Sequence, residues 1–173
     1  MVAAMAREFD GLRRHSSAWT PLAGPIDFAC RAVVSGRSWI LAANGPGPRL
    51  AYQAVTAAAR FARVRAAVSV GYAGALDPAL APASVFVPAE VVDAASGERF
   101  RVANPGSGVL LSQDAIAATA RDKAALRDRF QADAVEMEAA AVARWAVSER
   151  VPFYCIRGIS DTATESFTID FNG

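Results

Sequence analysis

Three acidic residues stand in settings where acids are costly. Glu136 and Glu138 flank Met137 in the run Val135-Glu136-Met137-Glu138-Ala139-Ala140-Ala141, and Asp161 closes Arg157-Gly158-Ile159-Ser160-Asp161. A carboxylate inside an apolar segment gives up hydration, so it needs a partner there. A small ligand rich in hydroxyls and nitrogens would supply one. Each residue also has an ordinary reading: Asp161 as an Asx turn in Ser-Asp-Thr, Glu138 as an acid at a helix N-terminus.

These acids must be positioned by elements around them. Apolar runs of strand length alternate with Ala-rich or amphipathic helical stretches, which predicts an α/β fold: a three-layer α/β/α domain on a mixed, mostly parallel twisted sheet. The pattern predicts strands over 28–35 and 38–43 joined at Gly36-Arg37. A turn at Asn44-Gly45-Pro46-Gly47-Pro48 follows, then a helix over 49–61. A short buried strand over 66–70 is expected to give way to a ligand-facing loop, Gly71-Tyr72-Ala73-Gly74-Ala75. Further on come a hairpin pairing 84–93 with 98–102, a strand from 109, a charged surface helix over 122–130, a helix over 138–148 and a last strand over 153–158. Open α/β sheets bind ligands beyond the carboxyl ends of their strands. The loops after Ala43, Val70, Glu136 and Gly158 are therefore expected to share one sheet edge.

Composition narrows the function further. With 173 residues, 53% of them hydrophobic, the chain suits one domain over 1–173 with one core. A net charge of +1 without a basic block argues against a nucleic-acid partner. No apolar run approaches the roughly 20 residues of a membrane span, and the start is too soon charged for a signal peptide, so a cytoplasmic protein is expected. Cys155, in Pro152-Phe153-Tyr154-Cys155-Ile156, reads as a buried inert thiol; Cys30 is the other cysteine. His15 is the only histidine. His-rich metal sites and His-based triads are thereby excluded, and no ligand cluster suggests a metal.

Taken together, Ala4-Met5-Ala6-Arg7-Glu8, Gly45-Pro46-Gly47, Gly71-Tyr72-Ala73-Gly74, Glu136-Met137-Glu138 and Ser160-Asp161 resemble the nucleoside phosphorylase/nucleosidase superfamily. Within it the chain is most similar to the methylthioadenosine/S-adenosylhomocysteine nucleosidase branch, and Asp170-Phe171-Asn172 looks like its hopanoid-associated members. The resemblance implies cleavage of the bond between purine and ribose through an oxocarbenium-like transition state. In that frame Asp161 helps protonate the purine N7, a task that near neutral pH calls for burial or a neighbouring negative charge, which Glu136 would supply. Glu138 accepts from the ribose 2′ and 3′ hydroxyls, two carboxylate oxygens suiting a vicinal diol, and favours positive charge on the sugar. Glu8 matches the general base that takes a proton from water; without the resemblance it would be a surface glutamate in a first helical turn. Met137 packs on the ribose, Phe171 near the purine or simply in the core, and Ala73, Gly74 and Ser160 line the site. Arg157 reads as a structural salt-bridge partner.

The chain also departs from the family. Three residues precede Ala4 where family members carry a fuller first strand, so either that strand is clipped or the start of the natural chain is absent. The sequence stops at Gly173 where the family continues into a C-terminal helix, so that helix is expected to be lacking. Ile116 stands where the nucleosidases place an aromatic, which weakens purine stacking. Water is the preferred nucleophile, because Glu8 would repel phosphate; phosphate as co-substrate stays open through the Gly45 and Gly47 turn with Arg49 nearby. No other cofactor is implied. Three functions follow: a nucleosidase acting on a 5′-modified adenosine, a phosphorylase acting on an adenosylated hopanoid or similar nucleoside, or a nucleoside-binding domain without catalysis. The resemblance further implies a homodimer or higher homo-oligomer.

Overall fold

The computed structural model describes residues 1–103 and 106–166. β1 (Val2–Ala3) leads through a 3-10 turn, Ala6–Phe9, into α1 (Asp10–Arg14). The meander β2 (Ser16–Pro21), β3 (Phe28–Val34) and β4 (Arg37–Ala43) comes next, then α2 (Pro48–Ala58) and β5 (Ala67–Ala75). β6 (Val85–Phe86), β7 (Glu90–Asp93), β8 (Arg99–Arg101) and β9 (Val109–Ser112) precede α3 (Ala120–Phe130), β10 (Ala134–Glu136), α4 (Ala139–Ser148) and β11 (Phe153–Asp161).

The sheet runs β2-β3-β4-β1-β5-β10-β9-β7-β8, with β11 against β5 and β6 against β11. It is mixed, as expected. Parallel pairing holds its centre, where β1 joins β4 and β5, and β11 joins β5; antiparallel hairpins form its edges.

Side-chain alternation along the strands builds two packing faces. Val2, Ala42, Val91, Leu110 and Ala134 face a core with α2 and α4. Their neighbours turn the other way: Ala3, Leu41 and Ala43 meet Phe9, while Val92, Leu111 and Val135 meet Leu126 and Phe130 of α3. The result is the expected three-layer arrangement. β1 has two residues and is inserted between β4 and β5.

Local chemistry starts and stops the helices where the site needs them. Pro48 opens α2 after Gly47, whose φ of +96° suits a residue without a side chain. Thr119 caps α3 by accepting from the Asp122 amide at 3.1 Å, and Gln131 ends it in the left-handed region.

Two expectations are corrected. Gly71-Tyr72-Ala73-Gly74-Ala75 is not a loop but the second half of β5, because β11 pairs with it through Gly74 and β10 takes up Gly74 and Ala75. The 84–93 run is not one strand. Pro88, lacking an amide donor, lies between β6, which pairs with β11, and β7, which pairs with β8 and β9.

Candidate active site

A cavity of about 340 Å³ opens at the carboxyl ends of β1, β10 and β11 and along the second half of β5. Its wall carries ionisable groups drawn from separate places in the chain, among them Glu8, Lys123, Glu138 and Asp161. The expected convergence occurs even though β10 runs antiparallel to β5.

Glu8 sits in the turn after β1. Phe9 beside it is 2% exposed and stacks on Phe28 at 5.9 Å between centroids, which anchors the turn. Glu8 Oε1 accepts from the Met5 amide at 2.8 Å. Its other oxygen lies against Gly71, where a Cβ would collide with Oε2 and where φ is +147°. Only glycine fits both conditions. Burial raises the Glu8 pKa above its ordinary value, with the Met5 amide and the Arg157 charge opposing.

At the end of β10, Glu136 is buried with every contact turned inward. It accepts from the amides of Glu138 at 2.9 Å and Ala139 at 2.9 Å, which are orphan donors at the start of α4. It also accepts from Arg157 Nη2 at 2.6 Å. Arg157, 1% exposed, donates in addition to Ser69 Oγ at 2.7 Å. Arg157 is thus the structural partner expected, while Glu136, expected beside Asp161, is committed to Arg157 and the α4 amides.

Glu138 occupies the N-cap position of α4, yet its side chain leaves the helix. Oε1 accepts from the Gly47 amide at 2.8 Å, and the carboxyl lines the cavity. Burial, then the neighbouring charge of Glu136, pushes its pKa up to about 7 against the Gly47 amide and Arg157. The Gly47 amide is thus engaged with the Glu138 carboxyl, and Arg49 is exposed outside the cavity wall. Gly45 ties the same turn to the strand end beside it, its amide donating to the Ala4 carbonyl at 2.9 Å.

Asp161 ends β11 just past an irregularity in the β5 ladder, where Ile159 faces Ala73 and Asp161 faces Gly74. A Cβ on Gly74 would lie 3.0 Å from Asp161 Oδ2, so the glycine gives the carboxylate room. The Ser160 hydroxyl reaches both Asp161 Oδ1 and the Ala73 carbonyl. Oδ2 forms an ion pair with Lys123 Nζ, and Lys123 also donates to the Thr162 carbonyl at 2.6 Å. The charge found beside Asp161 is a cation from α3, not the carboxylate expected.

Lys123 was missed because α3 reads as a solvated, charged helix. A signal was present: Lys123 lies three residues before Leu126 and seven before Phe130, on the stripe that faces the sheet. Ile116 and Met137 line the cavity as well; Phe171, like Asp170 and Asn172, lies outside the described residues. Among the described residues, no group of His, Cys, Asp and Glu is arranged to hold a metal ion.

With this geometry in view, comparisons place the chain. Residues 94–172 match the Phosphorylase superfamily model. A 66-residue stretch, 38% of this chain, is 36% identical to the aminodeoxyfutalosine nucleosidase of Campylobacter jejuni, of whose length it spans 29%. Among solved structures, the 5′-methylthioadenosine/S-adenosylhomocysteine nucleosidase of Neisseria meningitidis, in complex with methylthio-immucillin-A, superposes with a TM-score of 0.84 at 24% identity, over 95% of this chain and 85% of that one. The futalosine hydrolase of Helicobacter pylori does so with a TM-score of 0.84 at 21% identity, over 95% and 84%. Residues 94–172 thus resemble the Phosphorylase superfamily, and the chain as a whole shares the fold of these two nucleosidases.

Proposed function

We propose that this protein hydrolyses the N-glycosidic bond of a purine nucleoside, a 5′-modified adenosine, releasing adenine. The observation that carries the reading is the convergence of Glu8, Glu138 and Asp161 on one cavity from three separate elements. Their environments suit three roles. Glu8, with a raised pKa, takes a proton from the attacking water. Glu138, held by a single amide, accepts from the ribose diol and stabilises the sugar cation. Asp161 serves the purine N7. Ala73, Gly74 and Met137 wall the ligand, and Ile116 takes the place of an aromatic against the base. The Gly47 amide, occupied by Glu138, is not free for phosphate, which favours water as the nucleophile.

The test is adenine release from methylthioadenosine, S-adenosylhomocysteine, aminodeoxyfutalosine and an adenosine bearing a hopane lipid at C5′, each with and without phosphate. Release in phosphate-free buffer that falls about 1000-fold in Asp161→Asn is the expected result. Release only with phosphate would replace hydrolysis by phosphorolysis. Tight binding of adenosine analogues with no release from any substrate would reduce the protein to a binding domain.

The working form is a homo-oligomer in this reading. Tyr72, Val85 and Ile156 are exposed at 63%, 72% and 43% on adjoining strands beside the cavity, an apolar surface of the kind that subunits cover. Light scattering on the wild type and on Val85→Lys tests it, a monomer in both being the contrary result. The buried thiols of Cys30 and Cys155 suit a reducing, cytoplasmic setting.

A further inference from the structure

The proposed reaction needs a proton at N7 of the leaving base, and the geometry points to where it is kept. We propose that Lys123 is the proton store for Asp161: its ammonium group passes a proton through the Asp161 carboxyl to the departing purine. The inference rests on the nucleosidase reading and adds a residue to it.

Lys123 is 1% exposed, a rare state for lysine, on a helix whose other charges are exposed or half-buried. Its Nζ holds Asp161 Oδ2 and the Thr162 carbonyl, and it forms part of the cavity wall. A brace between α3 and β11 is the ordinary explanation. Yet a buried ion pair is a weak source of stability, since the desolvation of both charges offsets their attraction, and an apolar contact would brace these elements as well. Nor does a brace need to open onto the cavity.

A proton store explains both features. In a site sheltered from water, an ammonium–carboxylate pair and an amine–carboxylic acid pair differ in the place of one proton, so the two groups act as a unit. Ser160 at Oδ1 holds the carboxyl in one orientation while this proton moves.

The step balances. The C1′–N9 bond breaks and its electron pair stays with the purine, whose N7 lone pair takes the proton from Asp161. An N–H bond of Lys123 breaks as an O–H bond forms on Asp161, and that O–H bond breaks in turn as N7 takes the proton. Lysine ends as a neutral amine, Asp161 as a carboxylate, and adenine leaves neutral. The water that adds to C1′ gives its proton to Glu8.

Three substitutions separate a store from a brace. Arginine keeps the charge but does not release its proton, methionine keeps only the length, and alanine leaves room for a soluble amine. With a nucleoside that the wild type cleaves, kcat is expected to fall about 100-fold or more in both Lys123→Met and Lys123→Arg, with KM changed less than about threefold. Ethylamine is expected to restore part of the lost kcat to Lys123→Ala, rising with amine concentration. A kcat within about threefold of wild type in Lys123→Met or Lys123→Arg would overturn the store. So would failure of ethylamine to restore a Lys123→Ala protein that still unfolds cooperatively and still binds the nucleoside. If no form cleaves any substrate, the wild type included, the nucleosidase reading itself is overturned, and the store with it.

Discussion

At the floor of the cavity Glu136 is held by Arg157 and by the first amides of α4; on the wall, two residues further along the chain, Glu138 meets a single amide from Gly47. Both are buried glutamates on the same short stretch of backbone. The first has its charge matched by a guanidinium within hydrogen-bonding distance. The second feels that same charge only from farther off; its burial, and then the negative charge of Glu136, push its pKa up to about 7. A fully partnered carboxylate shapes the site, whereas an under-partnered one keeps oxygens free for a ligand. Burial is common to both; the supply of donors separates structure from chemistry.

Removing the floor's cation should have the largest effect. Arg157→Met leaves Glu136 buried without its partner, and an expected loss of about 3–5 kcal/mol is measured by urea unfolding. Adding Glu136→Gln to that variant should recover part of the loss, since it removes the stranded charge. If Arg157→Met were as stable as the wild type, the floor would not be structural and the contrast would fail.

The wall predicts a pH effect. In the folded protein Glu138 keeps a proton from its ordinary 4.5 up to about 7, a range over which the unfolded chain has lost it. Folding therefore takes up a proton there, and stability falls as pH rises through that window, by up to about 3 kcal/mol. Glu138→Gln should flatten this slope in thermal melts between pH 4.5 and 7.

Gly71→Ala is expected to push the Glu8 carboxylate aside and to strain the backbone at φ +147°. A cost of about 1–3 kcal/mol should accompany a fall in kcat larger than any change in KM. Unchanged kcat would remove Glu8 from the reaction. At the far end of the scale, Arg99→Ala breaks an exposed pair with Glu90. It should change stability by less than about 1 kcal/mol and leave base release intact, confirming that charge pairs count only where water is excluded.

Much of the site was legible from residue type. Glu138 and Asp161 stand out because acids in apolar surroundings have few uses, whereas Glu8 is singled out only by the resemblance; the cavity wall holds all three. Arg157 was legible as a structural ion-pair residue for the same reason. What Glu136 does was less so, because its partner is 21 residues away and reaches it only through the placement of β5 between β10 and β11. Ile116 and Met137 were found by position, and the cavity holds both. Lys123 was hidden, since a lysine on a charged helix looks the same whether it faces water or an aspartate.

By itself the sequence determined the alternation of strands and helices, because apolar periodicity is a local property of the chain. It also settled which acids are worth attention, because the cost of burying a charge depends on its immediate neighbours. Only the tertiary structure decided that Gly71 to Ala75 is strand, since pairing partners come from distant segments. It alone set Lys123 against Asp161 and Arg157 against Glu136. Which acid is neutralised by a cation and which is left to a ligand is a matter of contacts across the sheet, and Coulombic attraction acts through space without regard to order along the chain.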